Sequence, residues 1–248
     1  AATLPPMPLE HAHDPASIRR RIAGRPDAMY LRDWIYGGID GAVTTFAIVA
    51  GVAGAELSVG VILILGFANL IADGFSMAAA NYSGTKAEKD DAARVLAMEH
   101  RHIAAEPDGE REEIRQIFAA KGFEGRALER AVDTITADEE RWAKTMLVEE
   151  HHLAPVTRSP WTAAWVTFSA FVVCGLVPLI PYMAGGGLAV STAVTAAVFF
   201  AIGSAKARWS LAPWWRSGAE TLAIGLAAAG LAYAVGHLLR GLVGDAGL

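Results

Sequence analysis

The chain has 248 residues, of which 53% are hydrophobic and 19% are charged, and its formal net charge is −5. The charges are segregated, because residues 83–158 hold 12 of the 21 basic residues and 17 of the 26 acidic residues. This distribution excludes an ordinary soluble domain and indicates a membrane protein with one charged, water-soluble insert. The acidic balance argues against a nucleic-acid partner and favours cations, and the single cysteine excludes an intrachain disulfide.

The chain begins with a polar segment, residues 1–32, that shows no signal-peptide pattern. Five apolar segments follow, each long enough to cross about 30 Å of hydrocarbon as a helix of about 20 residues. They cover approximately residues 34–55, 58–82, 160–183, 188–206 and 217–240. We therefore predict an all-α polytopic membrane protein, with spans one and two inside 33–84, spans three to five inside 159–241, and a tail at 242–248.

The basic residues predict the orientation of these spans, because cytoplasmic loops are enriched in lysine and arginine. Five arginines lie before the first span, twelve basic residues lie in the insert, and three lie at 206–216. The two short links, "AELS" and "AGGG", contain no lysine or arginine. The N-terminus, the insert and the 206–216 link are therefore predicted to be cytoplasmic, and the C-terminus to lie outside.

The insert, residues 85–158, is predicted to be a three-helix domain. Residues 85–105 contain no proline or glycine and can extend the second span directly. Pro107 interrupts this helix, and Asp108 is a candidate cap for the next one, at 110–120. A third helical region covers 126–153, with a possible interruption near Thr136.

Three acidic residues lie within the apolar segments: Asp40, Asp73 and Glu220. A carboxylate at the centre of a bilayer costs about 2.5–3.5 kcal/mol on insertion scales, so a functional role is the economical explanation. Asp40 lies between Gly37 and Gly41, small residues that let helices approach closely. We expect Asp40 to line an interior path, where metal ions and protons would compete for its carboxylate.

A soft ligand accompanies these acids. Met77 follows Asp73 by four residues, so both side chains project from one side of the second span. A methionine in a membrane helix usually serves packing. A thioether next to a carboxylate nevertheless suits a borderline divalent metal such as iron(II) better than magnesium or calcium.

The insert carries metal-ligating side chains at helical spacing. Residues three or four apart share one face of a helix, so such pairs can converge on an ion. A solvated, salt-bridged helix surface is the alternative interpretation of the same spacing. The pairs are Glu99 with His102, Glu110 with Glu113, and Met146 with Glu150.

Over residues 31–240 the sequence resembles the vacuolar iron transporter family of plants, fungi and microbes. The resemblance rests on five long blocks that occur in order. They are "DGAVTTFAIVAG" (40–51), "NLIADGFSMAAANY" (69–82), "EREEIRQIFAAKGF" (110–123), "ITADEERWAKTMLVEE" (135–150) and "WWRSGAETLAIGLAAAGLAY" (214–233).

The resemblance implies a homodimer that exports iron(II), with manganese(II) or zinc(II) as related substrates, from the cytosol in exchange for protons. It implies that Asp40 and Met77 line the path. It also implies a cytoplasmic metal site built from Glu99, Glu110, Glu113, Met146 and Glu150. Two positions depart from the family pattern: His102 replaces a glutamate, and Leu147 replaces a methionine that could have been a ligand.

An enzyme and a sensor are the alternatives. Glu99-x-x-His102 and Glu149-x-x-His152 match the paired motifs of di-iron proteins, which would make the insert a membrane-tethered ferroxidase. His151 and His152 lie at a helix end, however, where histidine often only complements the helix dipole. A metal sensor without transport is the third interpretation. For the transporter, we expect a bacterial cell membrane, or a vacuolar membrane if the source is eukaryotic.

Overall fold

The described part of the chain, residues 12–23 and 30–245 of a computed structural model, contains helices and no strand. This confirms the predicted all-α class. The helices are α1 Pro15–Ala23, α2 Leu31–Gly54, α3 Val59–Ala105, α4 Pro107–Ala120, α5 Gly125–Thr136, α6 Glu139–Glu149, α7 Pro160–Leu176, α8 Ile180–Met183, α9 Leu188–Lys206 and α10 Trp214–Asp245. A short 3-10 turn, Ala207–Trp209, follows α9.

Four of these helices, α2, α3, α9 and α10, are long and apolar enough to cross a membrane. The third predicted span is divided between α7, an apolar helix of 17 residues, and the single turn α8. The break falls at Pro178, whose ring cannot continue a helix, and Pro181 occupies the first turn of α8. The polytopic architecture is therefore confirmed, and the count of five spans stays a prediction.

Helix α3 connects the membrane part to the insert without interruption. It has 47 residues and is therefore about 70 Å long at 1.5 Å per residue. Its first half is apolar and its second half carries charged residues of the insert. The helix continues through residues 85–105, as the absence of proline and glycine there predicts. The insert is thus tied to the membrane part by a continuous helix.

Helix α2 is the centre of the membrane part and packs against α7, α10, α3 and α9. Its approach to α7 depends on Gly37 and Gly41. A Cβ atom at either position would overlap the backbone carbonyl of Thr167 or Phe171. The prediction that these two glycines form a close-packing face is confirmed. Around this contact lies a core that includes the buried rings of Phe46 and Phe199.

The insert has a separate apolar core formed by the distal half of α3 and by α4, α5 and α6. Its buried residues are Ile103, Ile114, Val132, Trp142, Ala143 and Met146. The predicted interruption near Thr136 is confirmed, because α5 ends there and Asp138 caps α6 by accepting a hydrogen bond from the Arg141 backbone N–H at 2.8 Å. The cap predicted at Asp108 is wrong, since Glu106 occupies the N-cap position of α4.

We expect Gly41→Val to destabilise the protein by about 3 kcal/mol, because the added side chain would push against the α7 backbone, which cannot yield as a side chain could. Thermal unfolding in detergent, followed by circular dichroism, measures the loss. Gly84→Ala is the matched control. Nothing lies within 4 Å of a Cβ at Gly84, and alanine favours a helix by about 1 kcal/mol. Equal melting temperatures for Gly41→Val and the parent would contradict the close-packing role.

Candidate metal-binding site and membrane cavity

Two glutamates are buried in the insert, where a carboxylate is seldom found without a partner. Glu99 on α3 is 1% exposed and Glu110 on α4 is 6% exposed. Each has one carboxylate oxygen, Oε2, that is buried and without a hydrogen-bond partner in the described part of the chain. A buried, unpartnered carboxylate oxygen is costly, so these two atoms mark a candidate cation site.

Two histidines contact these glutamates. His151 Nε2 lies 2.8 Å from Glu99 Oε1 and 3.5 Å from Glu150 Oε2. His102 Nδ1 lies 3.3 Å from Glu110 Oε1. One ligand atom from each of Glu99, Glu150 and His151 can be chosen so that all three lie within 4.8 Å of one another. That spacing lets one metal ion contact all three residues.

Burial, with a smaller contribution from neighbouring negative charges, raises the pKa of two carboxylates in this cluster. Burial raises the pKa of Glu110 to about 7, with smaller contributions from the charges of Glu113 and Glu99, and His102 acts in the opposite direction. Burial also raises the pKa of Glu150, and His151 opposes this shift. A divalent cation bound at this cluster would favour the ionised carboxylates and so oppose both shifts.

The other predicted insert ligands lie nearby but differ in environment. Glu113 is exposed, one turn after Glu110, and close enough for its charge to act on Glu110 and Glu150. Met146 is fully buried in the apolar core of the insert, one turn before Glu150. The structure thus brings Glu99, His102, Glu110, Glu113 and Glu150 into one electrostatic neighbourhood and places Met146 in the packing next to it.

The alternative di-iron arrangement is not assembled. Glu149 forms an ion pair with Lys121 at 2.6 Å. His152 is exposed, has a φ of 55° and lies beyond the end of α6. Instead, its neighbour His151 reaches Glu99. Sequence reasoning missed His151, because only the turn after α6 shows which of the two adjacent histidines faces α3.

A cavity of about 700 Å³ lies among α2, α3, α7 and α10 in the membrane part. Asp40 from α2 and Met77 from α3 both line this cavity, so the two predicted path residues border the same space. Asp40 is half-buried, and its carboxylate has no hydrogen-bond or ion-pair partner within residues 12–23 and 30–245. The cavity therefore presents a free carboxylate near a thioether.

The other two intramembrane acids lie outside this lining. Asp73 is exposed, although its charge is close enough to act on Asp40. Glu220 is also exposed and forms an ion pair with Lys206 at 3.4 Å, which joins α10 to the end of α9.

The cavity is also lined by a buried polar network that the sequence does not predict. Asp33 Oδ1 accepts hydrogen bonds from Arg158 at 2.5 Å and from Asn81 at 2.9 Å, and Asn81 also donates to Thr167 at 2.7 Å. From the sequence, Asp33 looks like an ordinary acid in the first turn of a helix, and Arg158 like one of many basic loop residues. Their pairing spans 125 residues and has no local signal.

The fold and these two sites define a class: a helical, polytopic membrane protein with a water-soluble insert that concentrates metal-ligating side chains. The model of the VIT family matches residues 31–237, and the chain belongs to this family. Family membership makes it a transporter and not an enzyme.

Its relatives include plant proteins of similar length. The chain is 30% identical to vacuolar iron transporter 1 of Arabidopsis thaliana, over 85% of this chain and 86% of the relative. It is 33% identical to vacuolar iron transporter 1 of Tulipa gesneriana, over 85% and 87% respectively. It is 31% identical to vacuolar iron transporter 1 of Oryza sativa, over 93% and 92%.

The raised pKa of Glu110 predicts how stability depends on pH. Since folding favours its protonated form, the contribution of Glu110 to the stability of the metal-free protein should be full below the ordinary value of 4.5 and be lost as pH rises through about 7. With a chelator present, the melting temperature should fall between pH 5 and pH 8, and Glu110→Gln should reduce this fall.

Glu112→Gln is the control for this titration. Glu112 is exposed, and its hydrogen bond with Arg115 holds its pKa below the ordinary value, so it does not titrate in this range. The control should keep the slope of the parent. If Glu110→Gln keeps that slope too, the Glu110 carboxylate does not carry the effect.

Proposed function

We propose that the protein transports iron(II) out of the cytosol in exchange for protons, with manganese(II) and zinc(II) as further substrates. The observation that carries this proposal is the cluster of Glu99, Glu110, Glu150 and His151 in the insert, with its buried, unpartnered oxygens. Membership of the VIT family and relatives named vacuolar iron transporter support iron as the substrate.

The insert acts as the capture site. Glu99, Glu110 and Glu150 supply carboxylate oxygens, Glu113 adds negative charge, and His151 and His102 supply imidazole nitrogens. Such a mixed nitrogen and oxygen set suits iron(II), manganese(II) and zinc(II), whereas magnesium and calcium prefer oxygen ligands alone. Met146 lies one turn before Glu150, in the apolar core next to the site.

The cavity acts as the path through the membrane part. Asp40 can bind either a metal ion or a proton, but not both at one oxygen, so the two compete. Met77 contributes a thioether that a proton does not use, and this favours a borderline metal over hard cations. Asp73 contributes through its charge near Asp40. Alternating occupation of Asp40 by metal and proton is the chemistry that an exchanger requires.

The assembled transporter is a homodimer in our proposal. Its N-terminal segment, its insert and its 206–216 link lie in the cytosol. This orientation follows from the positions of lysine and arginine. The continuous helix α3 then holds the capture site at a set height above the membrane. The membrane is the cell membrane of a bacterium or the vacuolar membrane of a eukaryote.

We expect Asp40→Asn to lower iron(II)-driven proton movement in proteoliposomes at least tenfold, because an amide keeps the size of the side chain but cannot exchange a proton for a metal. The pH-sensitive fluorescence of a trapped dye reports the proton flux. Asp91→Asn is the control, since Asp91 is exposed on the distal half of α3 and, among the described residues, pairs with Arg94 alone. Transport by Asp40→Asn at the rate of the parent would contradict the exchange mechanism.

Metal capture has its own test on the full-length protein. Glu99→Gln should weaken iron(II) binding at least tenfold in anaerobic titration calorimetry, because it removes the most buried ligand. Glu149→Gln, one residue before Glu150, should leave binding unchanged, since Glu149 faces Lys121. Equal affinities for the two variants would remove the insert cluster from the proposal.

A further inference from the structure

Asp33 is a buried acid that the functions above leave unused. It lies in the first turn of α2, is 5% exposed and lines the same cavity as Asp40. The two residues are seven apart, which is about two helical turns and about 10 Å along the helix axis. They therefore share one side of α2 and stand at successive levels of one cavity.

The ion pair that Asp33 makes is incomplete on both sides. Its Oδ1 accepts from Arg158 Nη2, but its Oδ2 is buried and unpartnered in the described part of the chain. The Nε atom of Arg158 is also buried without a partner there. An arginine and a carboxylate can form two parallel hydrogen bonds, and this pair forms one. The carboxylate thus keeps an oxygen available for a second cation.

Arg158 is held by an irregular segment rather than by a helix. This segment, residues 152–159, runs from the end of the insert to the start of α7. Among the described residues, no backbone N–H of residues 154–158 donates to another backbone group. The arginine side chain is 31% exposed, so its charge has access to water. Arg158 can therefore move without breaking helical hydrogen bonds.

We propose that Asp33 is a second metal-binding carboxylate of the path, and that the Arg158 guanidinium occupies it as a tethered cation until a divalent metal displaces it. This inference rests on the proposed transport of a divalent metal. A divalent ion interacts with a carboxylate about twice as strongly as a guanidinium does at the same distance. The displaced arginine regains hydration on its exposed side, which lowers the cost of exchange.

The surrounding residues suit this exchange. Asn81 donates to Asp33 and to Thr167, so it holds the carboxylate in place whichever cation is bound. Arg158 lies seven residues after His151, a proposed ligand of the capture site. The irregular segment that leaves the insert therefore carries the guanidinium that the metal displaces. A metal released from the insert would meet Asp33 first, and then Asp40 and Met77 two turns further along.

Cobalt(II) uptake into proteoliposomes tests the role of Asp33 directly. Asp33→Asn should raise the cobalt(II) concentration for half-maximal uptake at least tenfold, while the maximal rate per folded protein stays within twofold of the parent. An ion pair that serves stability alone predicts the opposite pattern: less folded protein and an unchanged half-saturation. That pattern would overturn the proposal.

The tethered cation is tested by equilibrium cobalt(II) binding in a Glu99→Gln background, in which the capture site is weakened. Adding Arg158→Gln should tighten the remaining binding at least tenfold, because it unmasks Asp33. Adding Asp33→Asn to Arg158→Gln should cancel the increase in cobalt(II) affinity. Because this double variant leaves neither residue charged, it also controls for misfolding caused by an unpaired charge. Arg158→Lys should stay like the background, since lysine keeps the positive charge.

Arg240→Gln is the matched control, because it breaks an exposed arginine–glutamate pair with Glu56 outside the cavity. Its cobalt(II) binding should equal that of the background. If Arg158→Gln also equals the background, Arg158 does not mask a metal site and the proposal fails. A failure of the transport function is seen separately, in a Glu99→Gln variant that binds like the parent or an Asp40→Asn variant that transports like it.

Discussion

Negative charge that the protein itself does not neutralise is the constraint on which this molecule depends. Glu99 and Glu110 are buried with one oxygen each unpartnered, and Asp33 repeats the pattern in the membrane part. A folded protein tolerates such atoms where another ligand completes them. In the insert, we propose a divalent metal as the partner of these oxygens. At Asp33 the partner is Arg158, which lies on the irregular segment 152–159.

The helical scaffold makes this arrangement possible through two mechanical features. Gly37 and Gly41 let α2 approach the α7 backbone closely, which fixes the side of α2 that turns toward the cavity. The unbroken helix α3 carries Met77 and Asn81 in the membrane part and Glu99 in the insert. Because one helix holds residues of both sites, the distance between the membrane cavity and the insert cluster is set by the stretch of α3 that separates them.

The connection between the two sites is asymmetric. The insert is joined to α2 through the rigid helix α3, but it is joined to α7 by the irregular residues 152–159. A rigid connection keeps the ligand positions constant, whereas an irregular one can change shape at little cost. Because Arg158 lies on the irregular connection, its displacement would break no helical hydrogen bond.

The sequence alone determined the class, the element order and most of the candidate residues. Segregated charge, apolar length, proline breaks and glycine spacing are local properties, and local properties decide where helices begin, end and pack closely. The tertiary structure decided which charges meet. His151 rather than His152 reaches Glu99, and Arg158 meets Asp33 across 125 residues of chain. These contacts depend on how a turn and an irregular segment fold back on α2 and α3. The periodicity of the sequence does not predict that conformation.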